Sequence, residues 1–102
     1  MKIVWSRLAI ERAYDAAAYI ANDKPEAALR WLNGLFEVTD RLELFPESGR
    51  VVPEIGLADF REVIYRRAYR VIYRVEKSRV VILTVRNCAQ LLDETELSDA
   101  DE

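Results

Sequence analysis

Three short segments in the second half of the chain are separated by connections of only a few residues. They are rich in Val, Ile and Tyr, and they span Phe60–Tyr65, Tyr69–Glu76 and Arg79–Arg86. β-Branched and aromatic residues favour strands, and connections this short join antiparallel neighbours. The sequence therefore predicts a three-stranded antiparallel meander, and the segments that precede it must cover one of its faces.

The first half of the chain predicts one further strand and two helices. The apolar run Lys2–Trp5 indicates a strand, and Ser6 is a favourable N-cap for the alanine-rich helix that follows. Pro25 suits the first position of a second helix, in which apolar residues recur every three to four positions up to about Phe45. The segment Val51–Ala58 contains proline and glycine and is expected to be an irregular connection.

These elements predict an α+β fold of order β-α-α-β-β-β. Two N-terminal helices would pack on one face of a mostly antiparallel sheet and leave the other face partly open. We expect residues 1–92 to form a single domain and residues 93–102, which are acidic and lack hydrophobic periodicity, to form a tail without fixed structure. The tail would serve solubility or, alternatively, shield the sheet of its own molecule.

Charge is divided unevenly along the 102 residues, whose net charge is −3. Residues 50–86 contain nine Lys or Arg and four Asp or Glu, whereas residues 93–102 contain six acidic residues and no basic one. The middle stretch is therefore the candidate contact for an anionic partner, and the tail opposes it.

The remaining composition narrows the compartment and the chemistry. The single cysteine, Cys88, cannot form an internal disulfide, and no apolar run approaches the ~18 residues of a membrane span. We therefore expect a cytoplasmic protein without membrane contact. Histidine is absent and there is no glycine-rich phosphate loop, so no metal and no cofactor are expected.

Strand alternation assigns the arginines to one face of the sheet. In the middle strand the apolar row Tyr69, Val71, Tyr73 and Val75 should face the helices, which leaves Arg70, Ile72 and Arg74 on the open face. In the last strand we expect Val81, Leu83 and Val85 to face the helices, with Val80, Ile82, Thr84 and Arg86 on the open face.

The register of the first hairpin decides which side chain joins this row. A four-residue loop, 66–69, would pair Val63 with Ile72 and Arg61 with Arg74, so that Arg61 lies on the open face and Glu62 points to the helices. The arginines would either bind a partner or simply solvate an exposed sheet. We also expect Tyr65 to be the most exposed tyrosine.

Other positions predict packing rather than chemistry. Trp5 and Trp31 are expected in the core between the first strand and the second helix. Gly34 lies inside the second helix, where it costs roughly 1 kcal/mol relative to alanine unless a close contact requires glycine. Cys88 is interpreted as a small residue that ends a strand.

Four stretches of this sequence, in this order, carry a family resemblance. They are KIVWS before the first helix, PEAALRWL opening the second, FPESGRVVPEIG after it, and FREVIYRRAYRVIYRVEKSRVVILTVRN through the hairpins. On these stretches the chain resembles the RelE/ParE family of toxins from type II toxin–antitoxin modules, and within it the ParE and plasmid-stabilisation branch.

The resemblance implies one of two mechanisms. RelE-like toxins cleave mRNA on the ribosome with basic residues of the open sheet face and a C-terminal arginine and tyrosine, and Arg61 and Arg70 fit two of the basic positions. The other family positions hold different residues in this sequence. Val63 occupies the next basic position, the C-terminal arginine falls near Cys88, and the tyrosine falls near Glu94. Because proton transfer then lacks its groups, enzymatic activity is not expected. ParE-like toxins instead poison DNA gyrase through protein contact.

The resemblance also implies a partner, a cognate antitoxin encoded by a neighbouring gene. It would lay a helix in a groove beside Leu29 and Phe36 and meet the arginines of the open face. The predicted partner-binding residues are Arg61, Arg70, Arg74, Arg86, Leu29 and Phe36. Two alternatives to gyrase poisoning are a ribosome-dependent mRNA endonuclease, and a degenerate, non-toxic member that only binds its antitoxin.

Overall fold

The computed structural model describes residues 1–90, 92 and 94–97, and these form two layers, one of helices and one of sheet. The helices and strands are β1 (Lys2–Trp5), α1 (Arg7–Ala21), α2 (Pro25–Asp40), β2 (Arg50–Val51), β3 (Phe60–Tyr65), β4 (Tyr69–Val75) and β5 (Arg79–Asn87). The sheet order is β1-β5-β4-β3-β2, with β1 parallel to β5 and the other neighbours antiparallel. The predicted α+β class and order are confirmed, and β2 is an addition to them.

Ser6 joins the first strand, the first helix and the last strand. Its hydroxyl accepts the backbone N–H of Ala9 at 3.0 Å, which caps α1, and donates to the carbonyl of Leu83 at 3.0 Å. The buried face of α1 consists of alanines, so the helix axis can lie close to the sheet. The predicted N-cap is confirmed.

The second helix is shorter than its apolar spacing predicts. It ends at Asp40, and the 3₁₀ turn Arg41–Glu43 continues the chain and buries Leu42. The expectation of a helix to about Phe45 is therefore wrong, because a 3₁₀ turn keeps nearly the same apolar spacing as an α-helix. The segment after it is also more regular than expected, since Arg50 and Val51 pair with Glu62 and Arg61.

Gly34 receives the hydroxyl of Tyr65. A Cβ at this position would lie 2.2 Å from that oxygen, and the hydroxyl donates to the carbonyl of Trp31 at 2.8 Å. This close contact is the reason that glycine is required inside the helix. The expectation of an exposed Tyr65 is wrong, because the side chain is buried in this notch, and burial raises the pKa of its hydroxyl.

The two tryptophans pack in the core between helix and sheet, as predicted. The rings of Trp5 and Phe36 meet edge to face with centroids 5.2 Å apart, and the rings of Trp31 and Tyr69 do so at 5.0 Å. These contacts fix α2 across β1 and β4.

A bulge in β5 reverses half of the predicted face assignment. Ile72 pairs with Thr84 and the next residue, Tyr73, pairs with Ile82, so Leu83 is inserted opposite β4. The helix-side core consequently contains Val80, Ile82 and Val85, whereas Val81 and Leu83 pack on the opposite face. The prediction is confirmed for Val85 and wrong for Val80, Val81, Ile82 and Leu83.

The register of β3 against β4 also differs from the prediction. The connecting turn has three residues, 66–68, and it pairs Val63 with Val71 and Glu62 with Ile72. A shift of one residue exchanges the faces of a strand. Glu62 therefore lies opposite the helices, and Arg61 does not share its face.

The face opposite the helices has a core of its own. Val52, Ile72, Val81 and Leu83 are fully buried there, with Ile55, Phe60, Leu92 and Leu97 packed against them. The expected partly open face is thus covered in part by the segment after β2 and by the 3₁₀ turn Glu94–Leu97. That turn differs from the expectation of a tail without fixed structure. Residues 93 and 98–102 of the predicted tail lie outside the described residues.

Candidate functional site: the arginine face of the sheet

We call the surface opposite the helices the arginine face, after Arg70, Arg74 and Arg86. At its centre Arg70 is nine-tenths buried and donates to two carboxylates. Its terminal nitrogens bond Glu54 at 2.7 and 2.8 Å, and its Nε bonds Glu62 at 2.7 Å. Glu62 is fully buried and accepts from Arg50 through its other oxygen at 2.5 Å. The central arginine is therefore held by internal partners on every side.

These hydrogen bonds shift the ionisation of the residues that share them. The bond from Arg70 holds the pKa of Glu54 at about 2, against an ordinary value of 4.5. The bond to Glu54 in turn raises the pKa of Arg70, against the opposing effect of burial. Both groups stay charged across the physiological range, so neither is suited to exchanging a proton with a substrate.

Arg74 and Arg79 share a third carboxylate at the other end of β4. The Nε of Arg74 donates to Glu76 at 3.0 Å, and the Nε of Arg79 donates to its second oxygen at 2.5 Å. Both bonds lower the pKa of Glu76, and the bond from Arg79 has the larger effect. The carboxylate is thus neutralised from two sides.

Arg86 is paired with the C-terminal segment. Glu96 is buried, accepts the hydroxyl of Thr84 at 3.0 Å, and forms ion pairs with Arg86 and, at 3.7 Å, with Arg12. An acidic residue of the predicted tail therefore docks on the arginine face. This corresponds to the alternative in which the tail shields the sheet of its own molecule.

Arg61 lies away from the other predicted arginines. Its guanidinium donates to backbone carbonyls of the segment before β3, at 2.9 Å to Ala58 and to Gly49 and at 3.3 Å to Glu47. The prediction that Arg61 shares a face with Arg70 and Arg74 is wrong, because the three-residue turn moves Arg61 to the other side of β3.

The two apolar residues predicted to bind a partner lie on α2, seven positions apart. Leu29 is 66% exposed, and Phe36 is half-buried against Trp5. Residues at this spacing share one face of a helix. Leu32, between them, is also half-buried, so α2 presents an apolar stripe beside the edge strand β1.

The structure does not bring the remaining nuclease positions together. Val63 packs on the helix-side core, whereas Arg70 points to the arginine face. Cys88 is exposed, and its backbone N–H donates to the carbonyl of Ala68 at 2.7 Å. Glu94 opens the 3₁₀ turn Glu94–Leu97.

Sequence reasoning missed the carboxylates that define the arginine face, which are Glu54, Glu62, Glu76 and Glu96. One signal was available for Glu62, which together with Arg61 interrupts the otherwise apolar strand β3, since a charged residue is seldom buried without a partner. Glu54 and Glu96 lie in a connection and in the tail, where the sequence gives no distance to an arginine, whereas Glu76 is only two residues from Arg74.

Metal and membrane chemistry find no support in the described residues. Across residues 1–90, 92 and 94–97, no group of three or more His, Cys, Asp or Glu side chains could hold a metal ion. None of the helices in these ranges has the length and the apolar run needed to cross a membrane.

The fold has a solved counterpart in a structure from a ParDE system. The structure described as "Chromosomal ParDE TA system from P. aeruginosa" contains a chain that superposes with a TM-score of 0.71, covering 85% of this chain and 95% of its own at 21% identity. At this level of identity the comparison establishes the fold: a two-helix, mixed-sheet domain of the kind found in ParDE systems.

Sequence comparison gives the family. The family model described as "ParE toxin of type II toxin-antitoxin system, parDE" matches residues 3–92. The Sinorhizobium fredii (strain NBRC 101917 / NGR234) protein named "Putative toxin Y4kP" is 33% identical over 94 residues, which cover 87% of this chain and 90% of that protein. The chain belongs to the ParE toxin family of type II toxin–antitoxin systems. The acidic tail lies beyond the matched residues.

Proposed function

We propose that this chain is a growth-inhibiting toxin that poisons DNA gyrase through protein contact and is neutralised by a cognate antitoxin encoded by a neighbouring gene. Family membership supports the toxin class, and the state of Arg70 supports action by contact. Arg70 is buried between Glu54 and Glu62, so it is poorly placed to stabilise a phosphate in RNA cleavage. The toxin acts in the cytoplasm, where gyrase and its DNA are found.

The nuclease alternative needs basic groups that meet on one surface. Of the two arginines that match nuclease positions, Arg70 is bound by carboxylates and Arg61 lies on the other side of β3. A transition state in phosphoryl transfer requires several positioned donors around one phosphate. The separation of these two side chains therefore favours protein contact over cleavage.

The antitoxin docks a helix on the apolar stripe of α2. Leu29 provides its most exposed anchor, and Phe36 extends the contact towards β1. The outer side of β1 is an edge of the described sheet, and sheet edges accept an added strand. Arg61, Arg70, Arg74 and Arg86 join the complex by exchanging an internal oxygen acceptor for a carboxylate of the antitoxin.

Induction of the gene in cells tests the proposal. We expect a DNA-damage response and filamentation, together with cleaved-DNA complexes when purified gyrase is incubated with the protein. Translated messages should stay intact with and without ribosomes. Arg70-dependent cutting of a translated message would instead establish the nuclease, and normal growth would establish a degenerate, antitoxin-binding member.

Co-expression tests the partner. We expect the product of the adjacent gene to co-purify with the toxin and to restore growth. A Leu29→Asp variant places a charge on the apolar stripe and should lose co-purification, whereas Glu26→Gln, at an exposed position near the start of α2, should retain it. If both variants bind alike, the antitoxin does not use this stripe.

A further inference from the structure

The turn between β3 and β4 places two adjacent arginines in the left-handed backbone region. Arg66 has φ 49° and Arg67 has φ 63°, and the N–H of Ala68 donates to the carbonyl of Tyr65 at 3.1 Å. Positive φ at both central residues, together with this hydrogen bond, is the feature of a type I′ turn, which strongly prefers Asn-Gly for that reason. Two arginines are therefore an unfavourable choice for the backbone alone.

The turn is nevertheless firmly anchored. Tyr65 precedes it and is fixed by its hydrogen bond to Trp31, and the guanidinium of Arg66 lies 5.3 Å from the centre of the Tyr65 ring. On the other side, the carbonyl of Ala68 accepts the N–H of Cys88 at 2.7 Å. The two arginines thus project from a rigid base, which reduces the conformational entropy that binding would cost.

Unlike the arginines of the arginine face, these two have no acidic partner among residues 1–90, 92 and 94–97. Arg66 and Arg67 are exposed, and none of the ion pairs among the described residues includes either of them. The nearby carboxylate of Glu37 on α2 influences Tyr65 but forms no ion pair with Arg66 in the described part of the chain. The turn therefore displays two adjacent cations that are available to another molecule.

We propose that the Arg66–Arg67 turn is a contact site for an acidic segment of a protein partner, whose carboxylates bind the two guanidiniums. The chain shows this recognition chemistry internally, where Glu96 of its own acidic segment binds Arg86. Nucleic acid is a poorer fit, because two cations neutralise about two phosphates and the molecule carries a net charge of −3.

A double variant separates the backbone cost from the binding role. Arg66→Asn with Arg67→Gly keeps the type I′ turn, removes both charges and suits the left-handed conformation. Its melting temperature should rise by a few degrees, because the preferred turn residues relieve the strain. Arg7→Gln with Lys77→Gln is the matched control, since it removes two exposed cations that take part in no ion pair of the described residues.

The partner measured first is the adjacent-gene antitoxin, so this arm rests on the proposed function. Titration calorimetry at about 50 mM and 300 mM salt should show the turn variant binding at least about fivefold more weakly at the lower salt, with a smaller difference at the higher. The control variant should bind within about twofold of the parent. A turn variant that is stabilised and still binds as tightly as the parent at low salt would overturn the proposal.

Two further probes keep this test distinct from the proposed function. If the parent does not bind the adjacent-gene product, the antitoxin assignment fails, and a labelled decaglutamate peptide in low salt decides the inference instead. The parent should bind it measurably and the turn variant should not; no binding by the parent would overturn the inference. A labelled 20-base-pair duplex is the third probe. Binding to the duplex that depends on the turn, without binding to the antitoxin or to the decaglutamate peptide, would make this a nucleic-acid contact and overturn the proposal.

Discussion

The arginines of the sheet and the arginines of the β3–β4 turn belong to one hairpin, yet they are in opposite electrostatic situations. Arg70 is buried and bound by Glu54 and Glu62, whereas Arg66 and Arg67 are exposed and have no acidic partner among the described residues. The arginines of the sheet must therefore give up an internal acceptor before they bind a partner, whereas those of the turn can bind one directly. Positive charge in a sequence locates a binding surface only after its internal partners are known.

Internal glutamates leave the turn, rather than the arginine face, as the part of the chain most available to an acidic partner. The basic excess of residues 50–86 is offset on the arginine face by four glutamates, one of which comes from the predicted tail. At the turn the backbone is strained and the side chains are exposed, a combination that does not favour folding by itself. Within the hairpin, the arginines of the sheet therefore contribute mainly to stability, and the two arginines of the turn are the ones most available for binding.

The largest effect is expected at Glu62. Replacing it by alanine leaves Arg50 and Arg70 without their shared carboxylate, so the free energy of unfolding should fall by about 3–5 kcal/mol in denaturant titrations. Glu62→Gln, which keeps the shape and some hydrogen bonds, should lose less. A loss below about 1 kcal/mol for the alanine variant would mean that the arginine face does not depend on its buried carboxylate.

Glu96 should have the next largest effect. Glu96→Gln weakens the contacts to Thr84 and Arg86, and we expect the free energy of unfolding to fall by about 1–3 kcal/mol. Truncation after Leu92 should lower it at least as much, because it also removes Leu97 from the apolar cluster. The exposed Glu11→Gln is the control. Unchanged stability in both variants would contradict the docking of the C-terminal segment.

Acid should reveal the contribution of Glu54. The pKa of Glu54 in the folded state is about 2, lower than its ordinary 4.5, so its contribution is complete above about pH 4.5 and is lost as the pH falls towards 2. The Glu54 side chain is 43% exposed, so water screens its ion pair with Arg70. We therefore expect Glu54 to contribute about 1 kcal/mol to the free energy of unfolding. Denaturant titrations at pH 5.5, 3.5 and 2 measure the loss. The free energy of unfolding of Glu54→Gln should fall less over this pH range than that of the parent. An equal fall in the two proteins would contradict a lowered pKa of Glu54 in the folded state.

The smallest effect is expected at Cys88, beside the turn. Its backbone N–H anchors Ala68, but its side chain is exposed, so Cys88→Ser should change the free energy of unfolding by less than about 0.5 kcal/mol. Growth inhibition should stay within a few-fold of the parent. Complete loss of inhibition with an unchanged circular dichroism spectrum would make the thiol a functional group.

The sequence predicts the helices and the long strands because each has its own periodic signal, and Ser6 and Pro25 mark the helix starts. It does not predict the faces of β3 and β5, because a difference of one residue, in a turn or in a bulge, exchanges the two faces of a strand. In β5 the bulge at Leu83 shifts the alternation partway along the strand. In β3 the register depends on a three-residue turn, and the Arg66–Arg67 pair gives no sign of a type I′ conformation that usually contains Asn-Gly.

The candidate site was harder to predict than the fold for the same reason. A register that directs Glu62 towards the helices leaves Arg70 without its carboxylate partner on the same face. Glu54 and Glu96 are distant in sequence from the arginines that they bind, and pairwise contacts between loops carry no periodic signal. The resemblance of the whole chain to ParE-like toxins was the stronger guide, since it depends on the order of several stretches rather than on one register.

Side-chain NMR of arginine tests the central contrast most directly, because it needs no partner. The Nε–H groups of Arg50, Arg70, Arg74 and Arg79 each donate to a carboxylate. Their signals should therefore exchange slowly with water, and that of Arg70 should remain protected in about 0.5 M salt. The Nε–H signals of Arg66 and Arg67 should exchange rapidly under the same conditions. If Arg70 exchanges as rapidly as Arg66, the arginine face is not closed by internal carboxylates, and the account is contradicted.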